Sequence, residues 1–156
     1  LHDEARRALV RRRELQRPAA VLDVPEGQLV LAEGRLDEGI RFLTGMLEAR
    51  AVAGVFLATG SDRKLAEAWH AKGNLPRAIA VLEGSSAAVP RWRTTGGWSF
   101  GYEWIKMRAS LADLYREANR GADAQAIEDE LRQLLAVADD DHPIKVKLLR
   151  RASAGQ

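Results

Sequence analysis

Apolar residues along this chain recur three and four positions apart, the spacing of one face of an α-helix. Two stretches show it most clearly: Leu111, Leu114, Tyr115 and Ala118, followed by Ile127, Leu131, Leu134 and Leu135. No stretch alternates apolar and polar residues over the length of a β-strand with enrichment in β-branched residues. The pattern therefore predicts an all-α protein.

Glycine residues divide this helical pattern. Gly34, Gly73 and Gly121 each follow one amphipathic segment and precede another, at the point where a left-handed residue ends a helix. We therefore expect each glycine to form the turn of a helical hairpin. In the second hairpin Asn74 is placed to cap the next helix, and Pro76 falls in its first turn, where the missing N–H costs little.

These breaks predict a single domain over residues 1–156, built from stacked antiparallel helical hairpins with flanking helices. The predicted helices are a basic one at 2–16, three hairpins at about 25–50, 62–84 and 102–138, and a short closing helix after 143. Within the hairpins the helices are expected at 25–33 and 36–50, 62–72 and 75–84, and 102–119 and 123–138. The apolar connector 51–61 can extend a helix, whereas 85–101 is predicted to be a long loop.

The second hairpin has a distinctive spacing around its turn. Ala66 and Trp69 lie seven and four residues before Gly73, and Ala78 and Pro90 lie five and seventeen after it. This spacing resembles the tetratricopeptide repeat (TPR), in which small residues let paired helices approach closely and a large aromatic residue fills the gap. The resemblance implies an α-solenoid of the TPR type, with glycine at the turn and proline after the second helix.

The first hairpin resembles the same repeat more loosely. Relative to Gly34, the two small positions fall on Gly27 and Gly39, and Val30 takes the place of the aromatic residue. Glycine inside a helix costs about 1 kcal/mol relative to alanine. Close contact between the paired helices is a reason to tolerate that cost at Gly39.

The third hairpin departs further from the repeat. Ala112 and Tyr115 lie seven and four residues before Asn119, but Ala126 takes the second small position only if the turn moves to Gly121. We therefore expect this turn to be about two residues too long. The turn-to-turn spacing is also irregular, which indicates degenerate repeats with insertions.

In the TPR family the first helix of each hairpin lines a concave groove that holds a partner peptide, so the resemblance implies a non-catalytic protein-interaction or scaffold module. The alternative is an ordinary solvated polar face. The groove-facing positions are Gln28 in the first unit, Arg63, Glu67 and His70 in the second, and Lys106, Asp113 and Arg116 in the third.

An aromatic cluster surrounds the second connector. Its members are Trp92, Trp98, Phe100, Tyr102 and Trp104. Aromatic residues dominate interface energetics, so the cluster is a candidate hot spot, or the pocket of a ligand-sensing regulatory domain near 91–104. Alternatively, the connector folds back over apolar surface that the insertion exposes.

The last unit carries a second resemblance, through residues 111–116, 128–131 and 138–143. It is similar to the closing repeat in C-terminal repeat regions of larger bacterial regulatory proteins, including protein kinases of eukaryotic type. This likeness implies a bacterial, cytoplasmic, regulatory protein with a further domain upstream.

Composition narrows the function classes. The chain has no cysteine, which excludes disulfide scaffolds, thiolate nucleophiles and cysteine-based zinc sites. Its longest apolar run, 51–58, is too short to cross a membrane. Clustered arginines in the first seventeen residues suit phosphate contacts, but no aromatic residue or recognition module accompanies them, so nucleic acid is not the expected partner.

No residues carry a recognisable catalytic or cofactor chemistry. The chain has no phosphate-binding loop and no defensible catalytic triad. His142 follows the acidic run 139–141, but consecutive residues do not converge on one metal ion without a shaped loop, and Asp141 is instead expected to cap the closing helix. We therefore expect no catalytic residue, metal or cofactor.

Self-association is a further expectation. Three hairpins are close to the minimum for a stable stack, and neither end has a clearly polar cap. We therefore expect a homo-oligomer formed through an exposed end of the stack.

Overall fold

The computed structural model describes residues 4, 7, 19–53, 60–87 and 99–154. These residues form seven helices: α1 Ala19–Ala32, α2 Leu36–Ala53, α3 Ser61–Ala71, α4 Leu75–Ala87, α5 Ser99–Glu117, α6 Gly121–Leu134 and α7 Pro143–Ala154. Across the described ranges there is no β-strand, and the all-α prediction is confirmed.

The helices stack as hairpins in chain order. Short turns join α1 to α2, α3 to α4, and α5 to α6, so the two helices of each pair run antiparallel and pack together. α2 then packs on α3, and α4 on α5, which stacks the three hairpins. The first helices of the hairpins also contact one another, α1 with α3 and α3 with α5. The last helix, α7, packs against α6. The predicted hairpin stack is confirmed.

Each hairpin turns on a residue in the left-handed backbone conformation. These residues are Gly34 (φ 78°), Gly73 (φ 75°) and Asn119 (φ 61°). In all three turns the following residue donates its backbone N–H to the carbonyl five residues earlier, at distances between 2.8 and 3.1 Å. This hydrogen bond is the mark of a Schellman motif, which satisfies carbonyls at the end of a helix.

The third turn corrects the sequence-based prediction. Gly121 is the first residue of α6, and the turn residue is Asn119, whose short polar side chain tolerates the left-handed conformation. Five residues after Asn119, Ala124 is fully buried, whereas Ala126 is exposed. The third turn is therefore no longer than the other two, and α6 begins before the predicted residue 123.

Several other boundaries differ from the predictions. α1 begins at residue 19 rather than 25, α2 continues to 53, α4 reaches 87, and α5 begins at 99. The predicted connectors are thus shorter at both ends, and 54–59 and 88–98 lie outside the described residues. Most of the predicted basic helix at 2–16 also lies outside them, although Glu4 and Arg7 are helical.

Helix starts follow the expected chemistry in one case and not in another. The Asn74 side-chain oxygen accepts the backbone N–H of Arg77 at 3.1 Å, which confirms its role as the cap of α4. At α7 the prediction is wrong by one residue, because the N–H of Val146 bonds to the carbonyl of His142 at 3.0 Å. His142, rather than Asp141, is therefore the residue that precedes the first turn.

Two apolar clusters form the core. The smaller joins α2 to α3 and contains Ile40, Leu43, Met46, Leu65 and Ala68. The larger runs from α3 to α7 and contains Ala66, Ala78, Ile79, Leu82, Met107, Leu111, Ala112, Tyr115, Ala124, Ile127, Leu131, Leu135 and Leu148. Trp69 and Val81 are partly buried against both clusters.

Glycine permits the close contact between α1 and α2. A Cβ on Gly39 would lie 2.4 Å from Leu31 Cδ2, and one on Gly27 would lie 2.9 Å from Leu43 Cδ2. Both distances are far below van der Waals contact. The expectation that these glycines serve helix–helix packing is confirmed.

Candidate functional site

The predicted groove residues lie on the first helices of the three hairpins, α1, α3 and α5, and the surface that they mark is called the polar face. Counted from the turn residue of each unit, Gln28, Glu67 and Asp113 occupy the same position, six residues earlier. Because α1, α3 and α5 contact one another in that order, residues that share a register position follow each other along the stack. The predicted groove residues therefore lie on adjacent helices.

The central part of this face lies on α3. Arg63 Nη1 lies 2.5 Å from Glu67 Oε1, one helical turn away, and Lys64 Nζ lies 2.7 Å from the other oxygen of the same carboxylate. Such exposed pairs stabilise a helix only weakly. The three side chains form a partly exposed charged strip of two cations and one carboxylate.

A polar contact joins α3 to α5 across the face. His70 Nε2 lies 2.7 Å from Glu117 Oε2, and both side chains are about half exposed. Sequence reasoning selected His70 but missed Glu117. Glu117 was missed because it lies two residues before Asn119, a position that is not among the groove-facing ones of the repeat.

Lys106 lies in the first half of α5 among aromatic and acidic neighbours. Its Nζ lies 2.6 Å from Glu103 Oε1 and 4.1 Å from the centre of the Tyr102 ring. The Tyr102 ring in turn meets the His142 ring edge-on, with centroids 6.3 Å apart. Lys106 and Tyr102, predicted for two different sites, therefore belong to one surface.

Asp113 and Arg116 hold helices together. Asp113 pairs with Lys147 at 2.5 Å and with Arg151 at 2.7 Å, both from α7. Arg116 donates two hydrogen bonds, at 2.8 and 2.7 Å, to the carboxylate of Glu128 on α6. Two of the three groove candidates of the third unit thus link α5 to its neighbours, and Lys147 and Arg151 of α7 join the polar face.

Glu128 is a fully buried carboxylate that sequence reasoning did not single out. It lies nine residues after Asn119, where the other two units bury Leu43 and Leu82. Its side chain has 0% exposure. Besides Arg116, it receives Arg151 Nη1 at 3.0 Å and Arg132 Nη2 at 3.4 Å.

The arginines around Glu128 keep it ionised. The hydrogen bond from Arg116 is the largest influence and lowers the pKa of Glu128 from its ordinary value of 4.5, whereas burial opposes this shift. A buried charge of this kind persists because it is paired and hydrogen-bonded. Since Arg151 belongs to α7, the buried carboxylate also specifies where α7 docks.

The remaining candidates are placed as follows. Gln28 is partly buried on α1. Trp92 and Trp98 lie outside the described residues, as does the side chain of Phe100. Trp104 packs against the larger core cluster beneath Arg108, so it covers apolar surface as one alternative expected, whereas Tyr102 is 50% exposed.

An open depression of about 520 Å³ lies beside the turns of the first two hairpins. Four of its five charged lining residues are already paired: Lys72 with Asp37, whose pKa that contact lowers, and Arg35 with Glu38 and also with Glu33. In the described ranges, no group of three or more histidine or carboxylate side chains could hold a metal ion. None of the helices described there is long and apolar enough to cross a membrane.

Comparison with known proteins identifies the architecture. No protein-family model matches the chain, and no curated protein does. Two crystal structures match, both of a Podosopora anserina protein described as a kinesin light chain with nearly identical TPR-like repeats. The fold is a TPR-like helical-repeat solenoid.

The likeness to these two TPR-like structures concerns the fold. The first, a point variant of that protein, has a TM-score of 0.60 and 17% identity, and the match covers 86% of this chain and 65% of that one. The second has a TM-score of 0.59 and 17% identity, with coverage of 88% and 67%. The chain thus spans about two thirds of the length of the repeat proteins that it matches.

Proposed function

We propose that this protein is a non-catalytic interaction module that binds an extended segment of another protein along the polar face of α1, α3 and α5. The observation that carries the proposal is the partly exposed charged strip on α3, continued onto α5 by the contact between His70 and Glu117. Stacked hairpins of this kind present an elongated surface rather than an enclosed pocket.

The chemistry of the strip favours a partner with charges of both signs. Arg63 and Glu67 lie one turn apart on a helix of eleven residues, about 6 Å along its axis, and their side chains pair with each other, so a partner residue of either sign competes with a weak exposed ion pair. Rim charges of this kind select the register and the identity of a partner more than they add affinity. A segment with an acidic and a basic residue two positions apart matches that spacing when extended.

The test is a charge swap that preserves composition. A display library of random peptides is selected against the protein, and the selected peptides are titrated by calorimetry against the double variant Arg63→Glu, Glu67→Arg. The swap keeps the pair on α3 and the net charge, and it places the acid nearer the helix N-terminus, the more favourable order. We expect peptide affinity to fall about tenfold or more.

A matched control uses Arg35→Glu with Glu38→Arg, which exchanges an exposed pair at the start of α2, away from the polar face. This variant is expected to bind like the wild type. Equal peptide affinity for both double variants, or no peptide selected above background, contradicts the proposal.

Two finer predictions extend the proposed interaction function. A regulatory role in the cytoplasm of a bacterium, with a further domain upstream, rests on the resemblance of the closing unit alone. A ligand-sensing domain near 91–104 is a second candidate, favoured by the half-exposed Tyr102 beneath Lys106. A small molecule that raised the melting temperature of the wild type but not of Tyr102→Ala would support that candidate.

A further inference from the structure

The charges where α5, α6 and α7 meet are divided between a buried acid and partly exposed bases. Glu128 has no exposed surface, so a partner cannot reach its carboxylate. The cations that hold it are partly exposed, at 39% for Arg116, 30% for Arg151 and 28% for Arg132. The surface at this end of the polar face therefore presents positive charge to a partner.

Asp113 of α5 binds two cations of α7, one on each carboxylate oxygen. Lys147 Nζ lies 2.5 Å from Oδ2, and Arg151 Nη2 lies 2.7 Å from Oδ1. Lys147 is 44% exposed, and its side chain can turn to a partner while Asp113 keeps Arg151. Removing the last cation from an internal carboxylate is the costly change, and this movement avoids it.

One positive charge in this cluster has no acid of its own. The cations are Arg116, Arg132, Lys147 and Arg151, and the described carboxylates paired with them are Asp113, Glu128 and Asp129. The next acid along α5, Glu117, contacts His70 of α3 instead. Four cations therefore share three carboxylates, and the cluster matches one further carboxylate in charge.

We propose that Lys147, with Arg151 and Arg116 beside it, is the subsite for an aspartate or glutamate side chain of the segment that binds along the polar face; this inference rests on that proposed function. The side of α7 that carries the subsite is the one that meets α5. The subsite therefore continues the polar face beyond the third hairpin.

The position of the subsite gives the partner segment a spacing. Neighbouring helices in such a stack lie about 10 Å apart, so α7 lies about 20 Å from α3. An extended chain rises about 3.3 Å per residue and crosses that distance in about six residues. The segment is therefore expected to carry an acidic residue about six positions from the residues that meet Arg63 and Glu67 on α3.

A carboxylate suits this subsite better than a phosphate group does. The cluster has one uncompensated positive charge, which a single carboxylate neutralises. A phosphorylated side chain carries close to two negative charges at neutral pH. It would need a second cation, and the arginines around Glu128 already serve a buried acid.

The experiment uses peptides selected from a random display library against the wild-type protein, with affinities measured by calorimetry. Lys147→Gln removes the uncompensated charge and leaves Asp113 paired with Arg151. It is expected to weaken peptide binding about three- to tenfold. Arg41→Gln removes an exposed charge from α2 with the same change in net charge, and it is expected to bind like the wild type.

A charge reversal tests whether Lys147 meets the acidic residue directly. Lys147→Glu is expected to weaken binding about tenfold or more. A peptide with lysine in place of its acidic residue is expected to prefer Lys147→Glu to the wild type. Circular dichroism confirms that each variant folds.

The outcomes separate this inference from the proposed function. Selected peptides that respond to the charge swap on α3 but not to Lys147→Gln overturn the subsite alone, as does a reversed peptide that shows no preference for Lys147→Glu. Failure to select any peptide overturns both proposals. A single-stranded oligonucleotide that binds more tightly than every peptide, and loses affinity in Lys147→Gln, assigns the subsite to phosphate and also overturns the inference.

Discussion

Arg116→Ala is expected to destabilise the protein by about 2–3 kcal/mol, because it removes both of the strongest hydrogen bonds to a fully buried carboxylate. Removing one partner of a buried ion pair costs about 3–5 kcal/mol when the remaining charge is left unpaired. The expected cost of Arg116→Ala lies at or below the bottom of that range because Glu128 still pairs with Arg151 at 3.0 Å and Arg132 at 3.4 Å.

Glu128→Leu is expected to change stability by less than about 1 kcal/mol in either direction. Leucine is the residue that the first two units bury at the same position, and apolar replacement of a buried ion pair is often neutral or stabilising. The three arginines freed by this change are each 28–39% exposed, so water can solvate them.

The double variant Arg116→Ala, Glu128→Leu tests whether Arg116 stabilises the protein through its contact with Glu128. If Arg116 acts through Glu128, its removal should cost less than about 1 kcal/mol in the Glu128→Leu background, giving a coupling free energy of about 2 kcal/mol. Urea unfolding followed by circular dichroism measures all four proteins. Arg108→Ala is the matched control, because it removes an arginine of α5 whose partner, Glu130, is 41% exposed, and it should cost less than about 1 kcal/mol. An equal cost of Arg116→Ala in both backgrounds would refute the reasoning.

Two further predictions concern pH and glycine. Ion pairing lowers the pKa of Glu128 in the folded chain. The stabilising contribution of the Glu128 carboxylate is therefore present above its ordinary pKa and is lost as pH falls through the lower folded-state value. Glu128→Leu should lose less stability than the wild type between about pH 5 and pH 3 in urea titrations. Gly39→Ala forces a Cβ to within 2.4 Å of Leu31 and should destabilise by about 1–2 kcal/mol, whereas Gly45→Ala on the same helix meets nothing within 4 Å and should stabilise by about 0.5–1 kcal/mol. Thermal melts that rank these two variants in the opposite order would contradict the packing account.

The hairpin stack was predictable because turns and helix periodicity are local properties. The second unit shows this best, since Gly73, Asn74 and Ala78 all take the roles that their spacing indicates. The third turn was mispredicted because Gly121 is the stronger turn residue by propensity, whereas tertiary packing places the left-handed conformation on Asn119. The burial of Ala124, five residues after Asn119, shows that the third turn is at Asn119.

The polar face was predictable only in part. Positions on α3 and α5 follow from the repeat spacing, but their partners do not, because Glu117, Lys147 and Arg151 reach them from other turns or helices. Glu128 could not be recognised at all from local pattern, since a glutamate within an amphipathic helix ordinarily faces water. Its burial depends on arginines from three separate helices.

Trp69 and Val81, which touch both core clusters, determine whether the chain melts as one body. In a linear stack each unit is stabilised only by its neighbours, so cooperativity passes through whichever side chains bridge adjacent units. Leu65 and Ala68 of α3 also join the first two hairpins, and Trp69 and Val81 extend that contact to the larger cluster. Truncation of either one should weaken the coupling between the two clusters and broaden the unfolding transition.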